Sequence, residues 1–184
     1  MPAIISLLRG VNVGGHNKIK MDELRALYES LGLRDPQTYV QSGNVVCESK
    51  EKNLAALAGK IETVIEKKFG FRPDVVLRTA SEMREVVAKN PFAKRRDVEP
   101  NKLVVTFLAE EPGGMVREAV LSLKADPEEL HMHRRELYIY FPDGMGRSKL
   151  VPVLSRALKN TGTARNWNTV TKLLAMAEAR EAAR

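Results

Sequence analysis

The densest chemistry in the chain lies in twelve residues near the N-terminus, Arg9-Gly10-Val11-Asn12-Val13-Gly14-Gly15-His16-Asn17-Lys18-Ile19-Lys20. Three glycines, two asparagines, a histidine and three basic side chains form one connection between an apolar run (Ile4, Ile5, Leu7, Leu8) and a helical pattern (Leu24, Leu27, Tyr28, Leu31). Glycine lets backbone turn with positive φ or approach a ligand closely. A polar loop between a strand end and a helix N-terminus suits an anion, because free N–H groups and the helix dipole point at it. Gln41-Ser42-Gly43-Asn44 is a second polar turn. Two further polar connections, Asp143–Lys149 and Thr163–Asn168, each precede a helical pattern and carry a cation. The candidate ligand-binding residues are therefore Arg9, Gly10, Asn12, Gly14, Gly15, His16, Lys18, Gln41, Ser42 and Asn44, with Arg147, Ser148, Lys149, Arg165, Asn166 and Asn168 in the second half.

No glycine signature with established mechanics is present: neither G-x4-G-K-[ST] nor G-x-G-x-x-G can be drawn through Gly10, Gly14 and Gly15. A structural loop capping a sheet is thus the competing reading of Arg9–Lys20, with Asn12 and Asn17 bonding their own backbone. His131 and His133 alternate and share a strand face, but no third metal ligand has suitable spacing, so no metal site and no cofactor is assigned. His16 is the one histidine in a polar loop and the sole evident proton carrier there. Cys47, between Val46 and Glu48, reads as a small buried strand residue, without the electropositive setting a nucleophile needs. Ser42 and Ser148 fit hairpin and helix-cap roles. Trp167 reads as core at helical spacing with Val170, Leu174 and Ala177; a stacking surface flanked by Arg165, Asn166 and Asn168 is the alternative. Lys94-Arg95-Arg96 reads as a surface linker that could also meet phosphates.

The elements that must position these residues follow from periodicity. The pattern predicts a strand over 3–9, a helix to Gly32, strands Gln37–Gln41 and Asn44–Glu48, a helix from Leu54 to Phe69 closed by Gly70, and a strand Asp74–Arg78. Thr79-Ala80-Ser81-Glu82 has capping-box spacing and opens a short helix that Asn90-Pro91 ends. The order then recurs: strand Lys102–Ala109, a helix after Gly113-Gly114, strands Leu130–His133 and Leu137–Phe141, a helix from about Ser148, a short strand Thr161–Arg165 and a last helix. The expected fold is α+β, a tandem duplication of a ferredoxin-like β-α-β-β-α-β unit, with antiparallel sheets in order 4-1-3-2 and helices on one face. The units are 1–90 and 101–184, the second carrying the C-terminal helix, joined by a linker at 91–100. In this topology the exit of the first strand and the turn before the third lie at one sheet end, which brings the glycine loop beside Gln41–Asn44.

Hydrophobic residues make up 43% of the 184, enough for a sizeable core, and charged residues at 29% are interspersed in sign. A net charge of +7 favours acidic partners, though a solvated basic surface accounts for it nearly as well. The single cysteine precludes an intramolecular disulfide framework, no apolar run reaches membrane-helix length, and no cleavable leader pattern opens the chain. The expectation is a cytoplasmic protein with no membrane partner.

In Leu8-Arg9-Gly10-Val11-Asn12-Val13-Gly14-Gly15, Tyr39-Val40-Gln41-Ser42-Gly43-Asn44-Val45 and Ala164-Arg165-Asn166-Trp167-Asn168-Thr169, the chain resembles the DUF1697 family of uncharacterised bacterial proteins. The resemblance spans nearly the whole chain. It implies two ferredoxin-like units, and it supplies no activity, substrate or catalytic residue. Three functions compete: binding of an anionic ligand, either nucleic acid or a phosphorylated small molecule; an enzyme acting on a small phosphorylated or carboxylated substrate with His16 as proton carrier; and a scaffold. No strand carries the aromatic signature of sheet-based RNA binding.

Overall fold

The computed structural model describes residues 1–183 and contains two four-stranded antiparallel sheets and six α-helices. In the first half β1 (Ala3–Leu8), α1 (Met21–Ser30), β2 (Arg34–Thr38), β3 (Asn44–Glu48), α2 (Leu54–Phe69) and β4 (Val75–Thr79) give the sheet order β2-β3-β1-β4. After α3 (Ala80–Ala88) come β5 (Leu103–Phe107), α4 (Gly114–Leu121), β6 (Glu129–His133), β7 (Glu136–Tyr140), α5 (Leu150–Ala157), β8 (Thr163–Asn166) and α6 (Trp167–Ala182), with sheet order β6-β7-β5-β8. Both sheets have the strand order of the expected duplicated unit. The chain forms two compact units, Met1–Glu85 with Lys172–Arg184, and Val86–Thr171. The C-terminal helix, placed with the second unit on sequence grounds, thus gives its distal half to the first.

Alternation along β1 explains the first core. Ile4 and Leu8 face α1 and α2, where they pack with Leu24, Leu27, Tyr28, Leu57, Ile61 and Ile65. Fully burying such side chains stabilises by about 1.5–3 kcal/mol each, far more than local propensity could. Ile5, Leu7, Val46 and Val76, on the opposite face, are buried too. The second unit repeats the arrangement with Val104, Leu137, Ile139 and Phe141 against Leu150, Leu154 and Leu158. No helix among the described residues is long and apolar enough to cross a membrane.

Several local expectations are met atom for atom. The capping box exists: Thr79 N–H donates to Glu82 Oε2 at 2.8 Å and Glu82 N–H to Thr79 Oγ1 at 3.1 Å. Gly70 closes α2 in the left-handed conformation, φ 78°. The second strand differs, running Arg34–Thr38 rather than 37–41. It holds Pro36 and shifts register between Arg34 and Gln37, which an edge strand tolerates because Pro need not donate there. It ends early because Val40 turns out of the sheet at φ 50°. In α6 the buried stripe is Val170, Leu173 and Ala177, with Leu174 and Trp167 half-buried.

Cys47 lies buried in the first core, and loss of hydration pushes its thiol from 9.0 up to about 12, the nearby Arg180 charge offsetting a part. Burial likewise raises the Tyr28 hydroxyl, which hydrogen-bonds Ser6 Oγ at 2.7 Å. Both groups keep their protons in the folded chain at a pH where the unfolded chain has released them. Their contribution to stability is therefore complete below about pH 9 and is lost as pH rises toward 12. Urea midpoints are expected to fall over that window, and Cys47→Ala to make the fall shallower. A thiol reagent should label native Cys47 at neutral pH only at the rate of unfolding; rapid labelling refutes the burial.

Candidate functional site

The Arg9–Lys20 connection is a small folded body. Val13 and His16 form an antiparallel bridge across Gly14 and Gly15, whose φ values of 57° and 78° are those a two-residue type I′ turn demands. His16 N–H closes the turn on Val13 O at 3.0 Å, and Asn12 N–H bonds Asn17 O at 3.1 Å below it. Asn12 and Asn17 both sit at positive φ, 56° and 52°, which Asn tolerates better than other non-glycine residues. The Asn12 amide spans Ile19: Nδ2 donates to Ile19 O at 3.0 Å, and Ile19 N–H donates to Oδ1 at 2.8 Å. Asn17 Nδ2 bonds Gly10 O at 3.1 Å. The amides therefore serve their own backbone, and Gly14-Gly15 serves a turn.

This body meets the turn before β3. Leu8 N–H donates to Gly43 O at 2.9 Å, directly beyond the last β1–β3 pair, Leu7 with Asn44. Gly43 has φ 74°, and a Cβ there would lie 2.8 Å from Leu8 Cβ and 3.2 Å from Leu8 O. Asn44, wholly buried, braces the turn through Nδ2 to Tyr39 O and to Ser42 Oγ, each at 3.0 Å. Tyr39 N–H returns a bond to Asn44 O. Val40 is held between these bonds in a left-handed conformation, strained by about 1–3 kcal/mol for a β-branched residue.

The two segments enclose a cleft of about 670 Å³ whose wall holds Asn12, Gly15, Lys18, Lys20, Glu23 and Gln41. Ile19 and Met21 form its apolar part, and Asp22 completes the edge. Lys18 and Lys20 flank Ile19, which is 4% exposed and pinned by Asn12, so alternation turns both lysines outward. Neither lysine, nor Gln41, has a hydrogen bond or ion pair through its side chain among the described residues. Of the candidate residues, the cleft thus unites Asn12, Gly15, Lys18 and Gln41. Arg9 turns to β4 instead: its N–H bonds Asp74 O at 2.9 Å and its guanidinium lies 3.7 Å from Asp74 Oδ2. His16 is exposed at the loop tip, outside the cleft wall, as are Gly10 and Gly14; Ser42 and Asn44 lie beneath it. Lys20, which the sequence reading places in the polar loop without naming it among the candidate residues, and Asp22 and Glu23, which it reads as a helix start, also line the cleft.

In the second unit Arg147, Ser148 and Lys149 line a separate cleft of about 720 Å³ with Lys102, Asp126, Glu128 and Asp143. Ser148 Oγ bonds Glu128 and accepts from Leu150 N–H at 3.1 Å, but it lies one residue before the cap position of α5, which is Lys149 and has no side-chain cap. Arg165, Asn166 and Asn168 are at the same sheet end but not in that wall. Asn166 Nδ2 donates to Asn101 O at 2.7 Å and its Oδ1 accepts from Asn168 N–H, while Arg165 folds back to Thr163 Oγ1 and Ala164 O. His131 packs edge-on against Phe92, ring centroids 5.2 Å apart.

Two tandem β-α-β-β-α-β units with one strand order define a duplicated ferredoxin-like α+β protein, with a polar cleft at the end of its first sheet. The chain belongs to the DUF1697 family, described as proteins of unknown function, whose model matches residues 1–138. It is similar to the conserved bacterial protein SP0830 from Streptococcus pneumoniae, at 26% identity and a TM-score of 0.78, over 96% of this chain and 98% of that one. No curated protein matches it.

Gly43→Ala must displace backbone, since the contact at 3.2 Å is Leu8 O, and it also forces φ 74° on a residue with a Cβ. A loss of about 2–4 kcal/mol in urea denaturation is expected; a loss under about 1 kcal/mol contradicts the close approach. Asn12→Ala leaves both Ile19 backbone groups without partners, with an expected cost of about 1–3 kcal/mol. Hydrogen exchange at the Ile19 amide should accelerate at least tenfold, and an unchanged rate contradicts the clamp.

Proposed function

We propose that the protein binds a small anionic ligand, of phosphate or carboxylate chemistry, in the cleft between the Asn12–Glu23 segment and Gln41. The observation that carries this reading is the pair Lys18 and Lys20: two cations without hydrogen-bond or ion-pair partners among the described residues, on a backbone fixed by Asn12, lining a cleft of small-ligand size. The positive charge of +7 supports it as a long-range attraction. Gln41 adds a donor from the opposite segment. The first-turn N–H groups of α1 add a weaker electrostatic term, reduced by Asp22, whose Oδ1 accepts the Glu23 N–H at 2.9 Å.

Binding is favoured over catalysis by the position of His16. A proton carrier must reach the reacting group, and His16 lies at the turn tip, outside the cleft wall. A small molecule is favoured over nucleic acid by the complete burial of β1, β5 and β7, which withdraws these inner strands from stacking with bases.

The test is calorimetric titration of the intact chain with inorganic phosphate, ribose 5-phosphate and citrate at two salt concentrations. Lys18→Ala with Lys20→Ala should weaken binding at least about tenfold, equivalent to roughly 1.4 kcal/mol. Lys94→Ala with Arg96→Ala, equal in charge but in the 91–100 segment, should leave it unchanged. Equal losses in both double variants would reduce the effect to net charge and refute the site.

A further inference from the structure

We infer that the cleft takes a phosphomonoester bearing free hydroxyl groups, of the sugar-phosphate and nucleotide class, and discriminates against bare phosphate and polyanions. This rests on the anion-binding reading above and adds what holds the rest of the ligand. The cleft wall carries both signs of charge: Lys18 and Lys20 on the loop, Asp22 and Glu23 on the first turn of α1. Surface lysines and carboxylates this close in sequence commonly pair, yet here no ion pair joins them. Asp22 is engaged by the Glu23 N–H, whereas the half-buried Glu23 side chain has no hydrogen-bond or ion-pair partner among the described residues. The backbone that carries the two signs is fixed between them. Ile19 is fixed through both its N–H and its C=O to the Asn12 amide, and Met21 begins the helix.

A ligand matching this wall must offer acceptors to the lysines and donors to a carboxylate, which only accepts. A phosphate group supplies the first and sugar hydroxyls supply the second. Ile19 and Met21, between them, contact carbon rather than charge. A volume of about 670 Å³ accommodates a sugar phosphate or a mononucleotide. A nucleic-acid backbone instead brings a second and third phosphate toward Asp22 and Glu23, where like charges repel. Gln41, which both donates and accepts, can bond either part of such a ligand.

The experiment titrates the intact protein and its Glu23→Gln variant with inorganic phosphate, ribose 5-phosphate, adenosine 5′-monophosphate and a single-stranded dodecanucleotide. Ribose 5-phosphate is expected to bind the parent at least about tenfold more tightly than phosphate, the difference that one hydrogen bond to a charged group can supply. Glu23→Gln is expected to weaken ribose 5-phosphate by about five- to tenfold while inorganic phosphate binds as well or better, since a repelling charge has gone. Because the substitution is isosteric, retained phosphate binding reports an intact fold. Tighter binding of the nucleotide than of the sugar phosphate assigns the base a place in the cleft, and equal binding assigns the sugar phosphate alone; either supports the class. Equal affinities for phosphate and ribose 5-phosphate, or a Glu23→Gln variant that tightens both, overturns hydroxyl recognition and leaves anion binding standing. A dodecanucleotide that binds more tightly than either monoester overturns the small-molecule class. No binding of any phosphate overturns the anion reading itself.

Discussion

One hydrogen bond, from the Leu8 N–H to the Gly43 carbonyl, fixes where the polar segments of the first unit meet. It extends the β1–β3 ladder one step past its last pair, so the chain leaving the central strand and the chain entering its neighbour start in contact. The contact is closer than any side chain allows, which is why glycine occupies the entering position. With that approach set, Gln41 falls across from Lys18 and the cleft has two walls. The same bond recurs in the second unit, where Leu108 N–H donates to Arg135 O at 2.9 Å. Leu8 ends its central strand and Leu108 follows its own; Gly43 and Arg135 precede their partners. The bond is shared although the turn is not: the positive φ falls on the acceptor residue Gly43 in the first unit and on Arg134, one residue before the acceptor, in the second. Only six residues separate β5 from α4, against twelve between β1 and α1, and the shorter connection has no room for a turned body like Val13–His16.

The loop is rigid for a reason that also limits what it can do. Positive φ at Asn12, Asn17 and Val40 is unfavourable, and each instance is stabilised by hydrogen bonds from neighbouring backbone or amides. Groups spent in that way are not available to a ligand. What remains to face solvent is the set of long side chains whose polar ends extend beyond the folded backbone: Lys18, Lys20, Glu23 and Gln41. The division between amides bonded to backbone and longer side chains left facing the cleft follows from reach, since Asn is too short to serve both the backbone beneath it and the space above it.

The same division explains what could be read from sequence. Periodic elements were legible: the bounds of α2, the Thr79–Glu82 capping box, the two strand orders and the contact between the glycine loop and Gln41–Asn44 all follow from spacing and topology. The second strand was displaced because Pro36 argues against a strand unless the strand is known to lie at an edge, and edge status is a property of the whole sheet. The α6 stripe ran through Leu173 rather than Leu174, a phase error that neighbouring leucines always permit. In the cleft region a turn and a ligand cradle share one composition, so sequence does not separate the backbone bonds of Asn12 and Asn17 from contacts to a ligand. That Asp22 and Glu23 line the cleft is not legible in sequence, because an acidic first turn has a sufficient local explanation in the helix dipole.

Burial carries the last step. Every residue of β1, β5 and β7 is buried, so these inner strands do not offer the open face on which ferredoxin-like proteins of other kinds hold single-stranded nucleic acid. Cys47 shares that enclosure, and its raised thiol pKa marks it as core rather than chemistry. With the inner strands covered, polar groups that can meet a partner lie on helix surfaces, on the outer strands β2, β6 and β8, and on the connections at the sheet ends. Helix surfaces present mobile, solvated charges that contribute little to specificity. In the first unit the twelve-residue connection joins a backbone fixed by Asn12 to Lys18, Lys20 and Glu23, whose side chains line one cleft and have no hydrogen-bond or ion-pair partner among the described residues.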